Sequence, residues 1–264
     1  MELYRFRPGR TPLLVSMPHT GTYVPEWLEP RLARAAKALP DTDWHLEQLY
    51  EFLDELGASV LVATHSRYVV DLNRPPDNAN LYPGQDTTGV VPLDTFHKEP
   101  LYIEGFQPSG AEGAERIATY WKPYHAKLAE ELVRLKKAHG AALLWDAHSI
   151  LSVLPRFFAG RLADFNLGTA DARSCGAGLG EALLERITGY SKVLNGRFKG
   201  GYITRTYGRP EENVHAVQLE LSEAIYMEEE PPFRFREDWA ANVRPTLRKL
   251  LHEMLRFASL QRKD

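Results

Sequence analysis

The amino-acid sequence predicts an α/β layer architecture around a largely parallel, buried sheet. Two observations predict it: short apolar runs (LLVS at 13–16, SVLVAT at 59–64, AALLWD at 141–146, VHAVQLEL at 214–221) read as strands, and segments of helical spacing alternate with them. A third is that no repeat or linker interrupts this alternation, so residues 1–264 are expected to form one domain.

In chain order, LLVS runs into Pro18 and Gly21, a strand feeding a loop. RLARAAKAL (31–39) is rich in helix formers and Pro40 breaks it. Asp41 or Thr42 can cap a second helix reaching Gly57, since Leu46, Leu49, Tyr50, Leu53 and Leu56 recur at helical spacing. SVLVAT and YVVD (68–71) read as strands, and 73–110 is a long loop rich in proline and glycine. A helix follows from Glu112 to His139, with Pro123 as a kink and Gly140 as its stop. Beyond the AALLWD strand, 156–168 reads as short strands or loop, 173–188 as helix and 195–210 as glycine-rich loop. VHAVQLEL is the last strand and 236–257 the closing amphipathic helix.

Composition narrows the function classes. Thirty-two basic against 35 acidic residues give a formal charge of -3, so nothing recommends nucleic acid or an anionic membrane as partner, and any cationic site must be local. The lone Cys175 excludes an internal disulfide and suits a reducing compartment, as a packed apolar residue more readily than as a redox thiol. The N-terminal MELYRFRPGR lacks an apolar targeting core, and no run approaches the roughly 18 apolar residues of a spanning helix, so a soluble, cytoplasmic protein is expected.

Chemistry-bearing residues collect at strand ends. Asp146 and His148 close the AALLWD run, where charge is costly unless used; the acid can orient the imidazole of a metal ligand or be a ligand itself. His19, in the loop fixed by Pro18 and Gly21, offers a second imidazole. Asp43 and Glu47, four apart, offer the carboxylate that Zn(II) takes alongside two histidines, Asp43 first and Glu47 in reserve; capping a helix is the alternative for Asp41 and Asp43. Asn73 and Arg74 can grip a carboxylate, with Arg67 six to seven residues earlier. Arg197, Lys199, Arg205 and Arg209 in the 195–210 loop point to an anionic ligand. Glu220 lies inside an apolar strand pattern, where burial raises its proton affinity and suits it to general-base work; Glu223 competes for that role.

Taken as a set, PHTG (18–21), DTDWH (41–45), SRYVVDLNRP (66–75), DAHS (146–149), KGGYIT (199–204) and QLELS (218–222) resemble the N-formylglutamate amidohydrolases of histidine degradation. The resemblance implies a three-layer α/β/α fold with a mixed, largely parallel sheet, similar to the zinc carboxypeptidases and aspartoacylases. It also implies one catalytic Zn(II), or another divalent metal, per chain. By similarity Asn73 and Arg74 would bind a substrate carboxylate, Arg67 would assist an oxyanion and Glu220 would act as base. The relatives draw a histidine and a glutamate from H-x-x-E, but Thr22 stands at that position here, so the carboxylate must come from elsewhere and Asp43 is inferred. The expected activity is hydrolysis of N-formyl-L-glutamate to formate and glutamate, with His19, Asp43 and His148 on the metal. Arg74, Arg197, Lys199 and Arg205 would bind the substrate. The alternatives are a metal-dependent hydrolase of other N-acyl amino acids, a carboxypeptidase-like peptidase, or a non-catalytic protein binding an anionic metabolite.

Overall fold

In the computed structural model, which describes residues 1–261, seven strands form one sheet. They are β1 (Tyr4–Arg7), β2 (Leu13–Met17), β3 (Ser59–Ala63), β4 (Ala142–Ile150), β5 (Phe165–Gly168), β6 (Lys192–Leu194) and β7 (Val214–Ser222), in the spatial order β1-β3-β2-β4-β7-β5-β6. The centre is parallel from β3 through β2 and β4 to β7, while β1 joins β3 and β5 joins β7 antiparallel. The helices are α1 (Leu46–Leu49), α2 (Gly110–Arg116), α3 (Lys122–His139), α4 (Leu179–Arg186), α5 (Tyr202–Tyr207) and α6 (Glu237–Gln261). Among the described residues no helix is long and apolar enough to cross a membrane.

The two faces of the central strands follow from the two-residue repeat of a strand. Leu13, Val15, Leu143, Trp145, Val217 and Leu219 point one way, into a core closed by α4 and α6. Leu14, Leu144 and Ala216 point the other way, onto Trp121, Tyr124, Leu128 and Leu132 at the start of and along α3. Toward the carboxyl ends of the strands this second face turns polar. Ser16 lies beside Asp146 and Asp146 beside Gln218, and one repeat further His148 lies beside Glu220. The expected α/β fold with a largely parallel sheet is therefore present, and the site sits where the apolar cover of one face ends.

Local structure departs from expectation in four places. Residues 31–39 form two 3-10 turns, Glu29–Arg31 and Arg34–Ala38, and Leu39 turns left-handed (φ 51°) before Pro40. The expected helix to Gly57 shrinks to α1 plus a 3-10 turn at Glu51–Asp54, because His45 at φ 61° prevents helix before Leu46. Neither expected acid caps it: Asp41 accepts the backbone N–H of Phe96, and Asp43 faces two histidines. YVVD is a turn, not a strand. Within the glycine-rich 195–210 segment, Tyr202–Tyr207 is helical. The Pro123 kink takes the form of a π-helical turn, Ile117–Trp121, between α2 and α3, which absorbs the backbone bond that proline cannot make.

His125 of α3 shows how the polar face is satisfied. Its ring stacks on Trp121 at 3.7 Å; Nε2–H donates to Leu72 O (2.8 Å), and Nδ1 accepts from Tyr207 (3.0 Å). That pattern uses the neutral imidazole, and burial pushes its pKa down from 6.5 to about 4. Its contribution to stability is complete above pH 6.5, where folded and unfolded imidazoles are both neutral. It is lost as pH falls toward 4, because the unfolded chain takes up the proton first. In urea titrations the midpoint of His125→Gln should fall less between pH 7 and 5 than that of the unsubstituted protein; parallel declines would contradict this linkage.

Candidate functional site

Three side chains from three distant segments converge beyond the strand ends. His19 follows β2 in a turn whose Gly21 touches the backbone of residues 64–65, where an added Cβ would come within 2.2 Å of His65 O. Asp43 is held against that turn by its N–H bond to His19 O (3.1 Å). His148 extends from β4, which continues to Ile150, beyond the expected AALLWD run. Nδ1 of His148 lies 3.0 Å and Nδ1 of His19 3.6 Å from the same Asp43 oxygen, and the two rings are 4.8 Å apart. All three residues are buried.

A second layer of carboxylates stands behind the imidazoles. His19 Nε2–H donates to Asp71 (2.8 Å), and His148 Nε2 lies 3.2 Å from Asp146. Each ring is thus turned so that Nδ1 faces the centre; at His19 the Nε2 bond to Asp71 is the arrangement that fixes the tautomer of a metal-bound histidine, whereas His148 Nε2 also meets Asn73 Nδ2 at 2.9 Å. Asp71 also accepts from Arg67 (2.6 Å) and from the backbone N–H of Asn73 (2.9 Å), so one carboxylate positions both His19 and Arg67. Asp71 is absent from the residues expected to carry chemistry, although it ends an apolar segment just as Asp146 does.

The electrostatics fit a divalent ion at the centre. Burial would raise the pKa of Asp43, but the imidazoles of His19 and His148 overcome it and hold the group below the usual carboxylate range. Asp71 is likewise held well below that range, against burial, by Arg67 and His19. Burial would lower His148, yet Asp146 and Asp43 hold it well above an ordinary histidine. Asp43, Asp71 and Asp146 bring three carboxylates to the centre, and among the described residues the Arg67 guanidinium contacts two of them, Asp43 and Asp71; a cation bound in place of the imidazole protons would balance the remainder. His19, Asp43 and His148 offer donor atoms within 4.8 Å of one another, a set a divalent cation can bind. Glu47, the reserve ligand, pairs with Arg5 at the surface instead.

A cavity of about 50 Å³ adjoins this centre, and His19, Arg67, His148, Glu220, Arg74 and Arg197 are among the residues that line it. Glu220 stands beside His148 in the β4–β7 register and accepts from Gln218 Nε2 (3.1 Å). Burial, reinforced by Asp43 and Asp146, pushes its pKa up to about 8 despite His148 and Arg67. Glu223 is buried and also raised, by burial and then by Asp43, but it accepts from Ser149 (3.3 Å) and does not line the cavity.

The expected anion binders divide. Among the described residues Arg74 and Arg197 have no carboxylate partner; they are held by carbonyls, Arg74 by Thr88 O and Arg197 by Phe157 O and Asp86 O. Burial, and then Arg74, lowers the pKa of Arg197, as expected of a cation lacking a counter-charge. Lys199 and Arg205 are not in the cavity wall: Lys199 pairs with Asp171 at the surface, and Arg205 lies over the Tyr82 ring with Nε on Gly200 O. Arg197 faces the cavity and its charged neighbours in the segment do not, which charge in the sequence does not reveal. Asn73 reaches the cavity, but its amide is engaged: Oδ1 accepts from Ile203 N–H (2.8 Å), and Nδ2 lies 2.9 Å from His148 Nε2 and donates to Asp146 (3.3 Å). As placed, it positions the Asp146–His148 pair rather than offering a free amide to a ligand.

Comparison with known proteins agrees with this geometry. A model of the N-formylglutamate amidohydrolase family matches residues 11–227. The chain is 53% identical over 257 residues to an N-formylglutamate deformylase of Pseudomonas aeruginosa, covering 96% of each chain. It is 51% identical over 261 residues to one of Pseudomonas putida, covering 98% of this chain and 97% of the other. Its structure superposes on the crystal structure of an N-formylglutamate amidohydrolase from Ralstonia eutropha JMP134 with a TM-score of 0.81 at 26% identity, over 100% of this chain and 99% of that one. A gene product of Agrobacterium tumefaciens shares the fold at a TM-score of 0.70 and 18% identity, over 100% and 97% of the two chains.

If Asp71 fixes the His19 ring, Asp71→Asn should weaken divalent-ion binding by about 10- to 100-fold, the usual worth of a carboxylate behind a ligating histidine. Competition against a chromophoric chelator measures this, and unchanged affinity would rule the role out.

Proposed function

The chain belongs to the N-formylglutamate amidohydrolase family and hydrolyses N-formylglutamate, and we propose that it does so with a divalent metal, Zn(II) by preference, held by His19, Asp43 and His148. The observation that carries this reading is the approach of two imidazole Nδ1 atoms to one buried carboxylate oxygen, with Glu220 beside His148. A divalent ion there supplies Lewis acidity toward a carbonyl oxygen and lowers the pKa of adjacent water.

The side chains divide the remaining work. The Glu220 carboxylate accepts a proton from the water that adds to the formyl carbon. It returns that proton to the amide nitrogen as the C–N bond breaks, so the products are formate and glutamate. Its raised proton affinity suits it to hold the proton between the two steps. Arg67, fixed by Asp71 and by its bond to Asp41 O (3.2 Å), stabilises the negative charge that develops on the formyl oxygen. Arg74 and Arg197, the two cavity guanidiniums without a carboxylate partner, take the two carboxylates of the glutamate moiety. Desolvation makes each of those pairs stronger than in water, and a dianion restores the charge balance of that end of the cavity. As part of the same proposal we carry over a place in histidine degradation from the family resemblance, and a cytoplasmic location from the lone cysteine and the absence of an apolar targeting core in the sequence.

Glu220→Gln should retain the metal and lose about 10²- to 10⁴-fold in kcat on N-formyl-L-glutamate. Turnover close to that of the unsubstituted protein would transfer the base role to Glu223. His148→Ala should lose both bound metal, measured by elemental analysis, and activity; full metal stoichiometry would remove His148 from the ligand set. Arg197→Ala should raise KM for N-formyl-L-glutamate by at least about tenfold, the equivalent of roughly 1.4 kcal/mol, with the metal content unchanged. An unaltered KM would place the substrate carboxylates elsewhere.

A further inference from the structure

The cavity wall between the metal centre and the cationic end is a continuous relay of rings and guanidiniums. The Arg67 guanidinium lies 4.6 Å from the centroid of Phe96, Phe96 meets Phe157 edge-on at 5.1 Å, and Arg197 lies 5.5 Å from the Phe157 ring. Phe96 is therefore the apolar group next to the arginine assigned to the formyl oxygen. It lines the cavity and is only 5% exposed.

The ring has little freedom to retreat. It belongs to a separate apolar cluster with Ile150, Leu151, Leu154 and Leu162. The peptide that leads into it is tied at both of its polar groups: the Phe96 N–H donates to both carboxylate oxygens of the buried Asp41 (2.9 and 3.1 Å), and Thr95 O accepts from Arg156 (2.7 Å). Arg156 is fixed in turn by Asp94 (2.8 Å) and Asp86 (3.0 Å). A ring held in this way beside Arg67 turns one additional methyl group on the acyl carbon into an overlap, which packed interiors relieve only by costly displacement.

We propose that Phe96 is the specificity-determining residue that restricts the acyl group to formyl, its ring occupying the space a methyl would need. The inference rests on the function proposed above and adds to it the part of the wall that reads the acyl group. Asp41 and Arg156 act through Phe96 as positioning residues.

The test compares N-formyl- and N-acetyl-L-glutamate with the zinc-loaded protein, its Phe96→Leu and Phe96→Ala variants, and Phe158→Leu as a control in the neighbouring loop. The expected result is a rise of about tenfold or more in the acetyl-to-formyl ratio of kcat/KM for both Phe96 variants, the scale on which pockets discriminate one methyl, with the Phe158→Leu ratio unchanged. A ratio is used because general loss of folded protein lowers both substrates alike. Calorimetric titration with N-acetyl-L-glutamate should show a parallel gain in affinity in Phe96→Leu, the milder variant, which keeps an apolar side chain if Phe96→Ala does not fold. An unchanged ratio and affinity in folded Phe96→Leu, with formyl turnover present in the unsubstituted protein, overturns the assignment of Phe96 alone. An unsubstituted protein inert toward both substrates overturns the proposed function and this inference with it.

Discussion

The buried Asp43 carboxylate, shared between two imidazoles, is the interaction on which the rest of the structure depends. Bringing a charge into a protein interior costs several kcal/mol, on the order of the whole stability of a domain, unless partners surround it. Here the partners demand partners of their own: His19 calls for Asp71, Asp71 for Arg67, and His148 for Asp146 and thence Asn73 and Thr204. The chain of partners leads back to its centre, the place where the proposed divalent ion would complete it. The protein therefore keeps its least comfortable charges where their discomfort is useful to a ligand.

That network explains where the sequence could be read and where it could not. Strands β4 and β7 were legible because apolar runs bounded by breakers have few alternatives, and His19 and His148, each unremarkable alone as a hydrogen-bonded imidazole, stood out as a pair because both close an apolar strand. The helix expected over residues 41–57 failed for a different reason. Its leucines do bury at helical spacing, but Asp41 and Asp43 are committed to Phe96 and the histidines, and that tertiary demand outweighs a cap contributing about 1 kcal/mol. YVVD has strand-forming residues, yet Asp71 must turn toward His19, and the chain bends to allow it.

Contacts across long sequence separations were the hardest to foresee. Asp71 lies 52 residues from His19, and Phe96 lies 55 from Asp41. Neither pairing has any local signal. The cationic segment 195–210 gave the right charge but not the direction of each side chain, so Arg197 reaches the cavity while Lys199 and Arg205 do not. Composition announces what chemistry a segment can offer, and only the fold selects which members offer it.

The pairing of His148 with Glu220 across adjacent strands has a consequence for how the chain can vary in length. A residue inserted or deleted within β4 or β7 would reverse the facing of everything beyond it and drive an imidazole or a carboxylate into the leucine-rich opposite side. Surface connections elsewhere can lengthen at about 0.6 kcal/mol per doubling. Descendants of this chain are thus free to grow at their loops, while the spacing from Ala142 to His148 and from Val214 to Glu220 is locked to the residue.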